Sequence, residues 1–172
     1  MFARCTSLTA VPRLPAKTLG SNCYRGMFTG CTSLSSVPVD LLPATTLANA
    51  CYQEMFMSCN LTAVPKLPAK TLATNCYTSM FRACNSLSSI PVDLLPATIL
   101  AATCYQDMFR ACNSLTNVCN LPATILATQC YQEMFMSCNL TNIPVDLLPA
   151  TILVKGCYQS MFQNCTSLTN VC

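Results

Sequence analysis

Cys51-Tyr52-Gln53-Glu54-Met55-Phe56-Met57-Ser58-Cys59 is one copy of a Cys-Tyr-x-x-Met-Phe-x-x-Cys motif that starts at Cys23, Cys51, Cys76, Cys104, Cys130 and Cys157. Between copies run Leu-rich stretches that end in a Leu-Pro-Ala-like segment, so the chain is a repeat array. Successive motifs start 28, 25, 28, 26 and 27 residues apart. A basic unit of 26 explains the series once two sites of length change are separated. Pro-Val-Asp-Leu-Leu-Pro-Ala (Pro38 to Ala44, Pro91 to Ala97, Pro144 to Ala150) is two residues longer than Pro65-Lys66-Leu67-Pro68-Ala69. Cys59-Asn60-Leu61 and Cys138-Asn139-Leu140 are each one shorter than Cys84-Asn85-Ser86-Leu87. Length changes confined to two sites imply two loops per repeat with rigid elements between them.

At 172 residues with no break in composition, the chain reads as a single repeat domain spanning 1–172, of about 6.5 units. Charged residues make up 9% and hydrophobic residues 52%, too apolar for a disordered chain and poorly charged for a free monomer. The net charge of +3 comes from scattered residues (Arg4, Arg13, Lys17, Arg25, Lys66, Lys70, Arg82, Arg110, Lys155) that form no basic stripe, so nucleic acid is not an expected partner. Pro, Asn, Thr or a charge interrupts every apolar run short of a membrane span. Met1 to Leu8 matches Met27 to Leu34, so the chain opens in mid-repeat without a signal peptide, and it also closes in mid-repeat, at Cys172. Uncapped ends predict a fragment, a synthetic chain or a unit of an end-to-end assembly.

Within one repeat, Leu34-Ser35-Ser36-Val37-Pro38-Val39 carries apolar residues at the first, fourth and sixth places, the Leu-x-x-Leu-x-Leu strand pattern of leucine-rich repeats. In Leu42-Pro43-Ala44-Thr45-Thr46-Leu47 a Pro stands where a helical turn can begin. Cys51, Met55 and Cys59 fall at i, i+4 and i+8, one apolar stripe of a helix, with Tyr52 and Phe56 beside it. The expected fold is an α/β solenoid. It is a leucine-rich-repeat-like, right-handed stack of strand-turn-helix units, with a parallel sheet on one face and helices on the other. The stripe predicts a structural core of Cys23, Met27, Cys31, Cys51, Met55, Cys59, Cys76, Met80, Cys84, Cys104, Met108, Cys112, Cys130, Met134, Cys138, Cys157, Met161 and Cys165.

The pattern Met-Phe-x-x-Cys-x-Ser-Leu-x-x-x-Pro, in Met27 to Pro38 and Met80 to Pro91, resembles the BspA-like leucine-rich repeats of bacterial surface proteins and related repeats of mycoplasma lipoproteins. The resemblance covers the whole chain. It implies a solenoid with a role in adhesion or binding at a cell surface or outside the cell, without catalysis, and it identifies no ligand.

Of the 15 cysteines, twelve occupy the two motif positions. Cysteines eight apart on a helix are about 12 Å apart, and those on neighbouring helices about 8 to 10 Å, beyond the reach of a disulfide. This favours reduced, buried thiols; bridging between the first Cys of one repeat and the second Cys of the next remains the alternative. With no His and no Cys-x-x-Cys, neither a metal site nor a cofactor is expected. Cys119 and Cys172 stand where other repeats carry Pro65 or Pro144. Catalysis is not expected either: the commonest general base is missing, and the six acids (Asp40, Asp93, Asp146; Glu54, Asp107, Glu133) recur at two surface positions. Leu42-Pro43-Ala44-Thr45-Thr46 lacks the Gly of a sortase signal, and the sequons at Asn60, Asn139 and Asn164 read as turn residues.

The second, third and fifth strand places point outward, giving Thr9, Ser35, Ser36, Thr62, Ser88, Ser89, Thr116, Asn117, Thr141, Asn142, Thr169 and Asn170 as a neutral candidate binding face, with Ala10, Ala63, Pro12, Pro38, Pro65, Pro91, Pro144, Cys119 and Cys172 among them. Its partner is expected to be a protein, peptide or glycan. Repeat-to-repeat variation at Arg25-Gly26, Gln53-Glu54, Thr78-Ser79, Gln106-Asp107 and Gln159-Ser160 predicts an exposed helix surface. Three functional classes follow: a surface-binding or adhesion scaffold, a filament that self-associates through open ends, and a thiol-based redox or metal protein.

Overall fold

The computed structural model describes residues 1–171, so Cys172 and its predicted place on the strand face lie outside the described residues. The chain forms a solenoid in which each repeat contributes a strand-like segment, a Leu-Pro-Ala segment and a motif segment. No α-helix occurs among the described residues, and the motif expected to be helical is a chain of tight turns.

The turn chain has a simple rule, seen in the second copy. Gln53, Met55, Met57 and Cys59 donate their backbone N–H to Ala50, Tyr52, Glu54 and Phe56, three residues back. Ala50, Tyr52, Glu54, Phe56 and Ser58 donate to Thr74, Cys76, Thr78, Met80 and Arg82 of the next repeat, at 2.8–3.0 Å. One residue in four, here Ala50, Glu54 and Ser58, has φ near +55° to +59°, as the third place of a type II turn requires. Every N–H of the segment is thus satisfied without a helical bond, half within the repeat and half across to its neighbour. The same five rungs recur at each of the five junctions between motif copies.

Such a ribbon turns two side chains in and two out, with a period of four residues. A helix advances 100° per residue, so positions four apart drift by about 40° per step and an apolar stripe must mix steps of three and four. Within each inward column of the motif, Cys51-Met55-Cys59 and Tyr52-Phe56, every step is four, which the ribbon accepts without drift.

The inward pairs build continuous columns. Phe2, Phe28, Phe56, Phe81, Phe109, Phe135 and Phe162 stack at centroid distances of 5.6–6.0 Å with rings within 10° of parallel. Tyr24, Tyr52, Tyr77, Tyr105, Tyr131 and Tyr158 form a second column at 5.7–5.9 Å. Leu34, Leu61, Leu87, Leu115 and Leu140 close the core from the strand side.

The sheet is much reduced from the expected one. Its two strands, β1 (Asn142–Ile143) and β2 (Asn170–Val171), pair in parallel, and β1 ends at Pro144, which has no N–H to offer. The other repeats carry single rungs such as Thr62 N–H to Ser35 O (3.0 Å) and Lys66 N–H to Val39 O (2.8 Å). Here the later repeat donates to the earlier one, the reverse of the turn side. Isolated parallel bridges join Thr18 to Thr46 and Thr71 to Ile99 on the Leu-Pro-Ala side.

Candidate binding surfaces

The second Cys of each motif donates its thiol to the carbonyl of a Phe one repeat back: Cys59 to Phe28 (3.0 Å), Cys84 to Phe56 (3.2 Å), Cys112 to Phe81, Cys138 to Phe109 and Cys165 to Phe135 (each 3.1 Å). The same carbonyl already receives the N–H of the Cys in its own motif, as Phe56 O does from Cys59, so both of its lone pairs are used. A disulfide sulfur has no proton for this bond, which gives the reduced thiol a structural task. Burial pushes the Cys59, Cys104 and Cys112 thiols up to about 12, against a slight pull downward from backbone hydrogen bonds. Thiols held so far from ionisation are poor nucleophiles. Within the first column, Cys51, Cys76, Cys104, Cys130 and Cys157 are buried. Cys23, expected in the core, is exposed because it stands in the first copy, with no Cys-Tyr pair of an earlier repeat beside it.

All the predicted strand-face residues are exposed except Asn117, which is half-buried. Asn117 turns inward because its amide acts as a rung, accepting from Ile90 N–H at 3.0 Å and donating to Ile90 O at 2.9 Å. Thr62, Thr116 and Thr169 hydroxyls donate to the carbonyls of Ser35, Ser88 and Thr141. The fifth strand place does not always face out: Pro65 and Cys119 are buried, since the shorter loop that follows them draws them inward.

The motif's variable positions also depart from expectation. Thr78, Ser79 and Gln132 are buried, and Thr78 Oγ1 donates to Thr103 O at 2.6 Å. On the same side Arg110 pairs with Asp107 (3.2 Å) and with Glu133 of the next repeat.

A third surface went unread in the sequence. The loops of successive repeats alternate short and long: Pro12–Pro15, Pro38–Pro43, Pro65–Pro68, Pro91–Pro96. Each long loop rises in a turn closed by Leu41 N–H to Pro38 O (3.1 Å) or Leu94 N–H to Pro91 O (3.2 Å), and a groove opens over the short loop before it. One groove, of about 350 Å³, has Pro65, Lys66 and Pro68 facing Pro91, Asp93 and Pro96. The other, of about 580 Å³, has Pro12, Arg13 and Pro15 facing Pro38, Asp40 and Pro43. The signal lay in the alternation of loop lengths.

Comparison with curated proteins and with solved structures found no match. The family model for the BspA type leucine rich repeat region matches residues 1–105 and 95–172, with six copies. With the model spanning the repeat array from end to end, the chain belongs to the BspA-type leucine-rich-repeat family.

Proposed function

We propose that the protein is a non-enzymatic binding scaffold of the cell-surface type, which holds an extended partner along its strand side. The observation that carries this reading is the preorganised row of short neutral side chains. Hydroxyls of Thr62, Thr116 and Thr169 are already tied to the preceding repeat, so little rotamer freedom is lost on binding. Ser35, Ser36, Ser88 and Ser89 stand exposed beside them. Family membership supports a binding role and leaves the partner open between peptide and glycan. The test is surface plasmon resonance against panels of extended peptides and oligosaccharides, repeated with a Ser36→Arg, Ser89→Arg, Asn142→Arg variant. A ligand whose binding the variant abolishes, at unchanged melting temperature, supports the reading; binding indifferent to the variant removes it.

Self-association is a second reading, motivated by the sixth repeat. Leu148 and Leu153 are exposed there, whereas Leu42, Leu67, Leu95 and Leu121, equivalent to Leu148, and Leu72 and Leu126, equivalent to Leu153, are buried. An apolar seat shaped for another repeat can take one from a second copy. Sedimentation velocity at micromolar concentration decides: growing assemblies that Leu148→Glu and Leu153→Glu disperse support it, and a monomer throughout ends it.

A further inference from the structure

We propose that the two proline-walled grooves together seat one peptide in the polyproline II conformation, with tyrosine side chains three residues apart, one ring in each groove. The grooves lie on the loop flank, and the proposal does not rest on the strand row.

Three observations lead there. First, the grooves are chemically the same. Each sets a Pro-cation-x-Pro loop against a Pro-x-Asp turn, so Arg13 and Asp40 line one groove, and Lys66 and Asp93 the other, among prolines. Pyrrolidine faces are apolar and flat enough to take a ring. A phenol hydroxyl both donates and accepts, so it fits between a carboxylate and a cation, where a phenyl ring leaves both unmatched. Second, the protein's own aromatic residues are spent on the two internal columns, and neither groove has an aromatic lining residue. The ring that completes a groove therefore comes from the ligand.

Third, the spacing matches. The grooves occupy equivalent places two repeats apart, and at the strand separation of about 4.8 Å per layer that is about 9.6 Å. Polyproline II returns to the same face every three residues, a translation of about 9.3 Å. A β-strand repeats its face every two residues, about 6.7 Å, and misses. The two residues between the tyrosines then ride over the Pro38–Leu41 turn that separates the grooves. Paired charges of opposite sign in each groove call for a peptide without net charge.

Isothermal titration calorimetry of the full chain with acetyl-Tyr-Pro-Pro-Tyr-Pro-Pro-amide, and with its isomer acetyl-Tyr-Pro-Tyr-Pro-Pro-Pro-amide, tests the spacing. The first peptide is expected to bind at least about tenfold tighter, because only it engages both grooves at once. The Phe analogue of the first peptide is expected to bind several-fold more weakly. Replacing the segment Pro65–Pro68 by the longer Pro-Val-Asp-Leu-Leu-Pro of the neighbouring loops fills one groove and is expected to equalise the isomers. Arg13→Glu with Lys66→Glu makes the same test without altering the loop. Equal affinities in the native chain, no detectable binding, or an advantage that survives both variants overturns the proposal, as does retained preference for a peptide without rings. Neither variant touches Ser36, Ser89 or Asn142, so this outcome and that of the strand-row test are independent.

Discussion

At the residue scale, the turn ribbon makes an unusual demand: every fourth residue of the motif sits in the left-handed region. Gly26, Gly30 and Gly156 meet it freely, and Asn22, Asn75 and Asn164 tolerate it. Ala83 and Ala111, both at φ +58°, and Thr103, at +56°, have no such excuse. A non-glycine residue there costs about 1–2 kcal/mol, partly offset by the greater flexibility of glycine when unfolded. Ala83→Gly and Ala111→Gly are therefore expected to stabilise the fold by about 0.5–1 kcal/mol each, as read from urea midpoints. Gly156→Ala is expected to cost about 1–2 kcal/mol, since its new Cβ meets Gln129 Cγ at 3.0 Å as well as the strained φ. The thiol ladder makes a second forecast. Cys84→Ala removes a buried sulfur and the donor to Phe56 O, and a loss of about 1–2 kcal/mol is expected in the same measurement.

At the element scale, the aromatic columns carry cohesion between repeats. Phe81 stacks on both Phe56 and Phe109 at 5.7 Å, so Phe81→Ala is expected to cost about 3–5 kcal/mol, while the half-buried terminal Phe162, stacked on one side only, costs less. Thermal melts of the two variants check the order. The elements also show where the sequence was legible. The repeat, its two variable sites and the Cys and Met of the core follow from spacing alone, while Tyr and Phe, read only as a stripe beside it, turn out to fill the core as two columns. The helix did not survive, because apolar residues at i, i+4 and i+8 satisfy both a helix and a four-residue turn. The discriminating sign was Gly or Asn recurring at a four-residue spacing, as at Asn22, Gly26 and Gly30. The sheet was over-read for a related reason: the Leu-x-x-Leu-x-Leu pattern marks which side chains turn inward, while the Pro at the fifth place limits how far the backbone pairs. The grooves needed one further inference, that loops of alternating length leave alternating depth.

At the scale of the whole molecule, a core filled with thiols and phenols sets the response to alkali. Cys59, Cys104, Cys112 and Cys119 have their pKa raised by burial from 9.0 to about 12, and Tyr77, Tyr105 and Tyr131 are raised for the same reason. The unfolded chain loses these thiol protons above pH 9.0 and the folded chain keeps them, so stability is full below that pH and falls as pH rises toward 12. Each such thiol contributes about 1.4 kcal/mol per pH unit within the window. Urea midpoints are expected to be flat between about pH 6 and 8 and to collapse before pH 11, with the tyrosinate absorbance of Tyr77, Tyr105 and Tyr131 appearing only as the fold is lost. Titration of those three tyrosines in the folded chain is the contrary result.

The turn ribbon has an electrical consequence. At every junction five N–H groups point from the earlier repeat to the later, while the strand side returns only sparse rungs in the opposite sense. Aligned peptide dipoles add, and five parallel columns outweigh the few that oppose them. The stack therefore has a permanent dipole along its axis, positive toward the later repeats and negative toward the earlier ones. An α-helix is positive at its N-terminal end, so this solenoid is polarised the other way along the chain, without any contribution from a charged side chain.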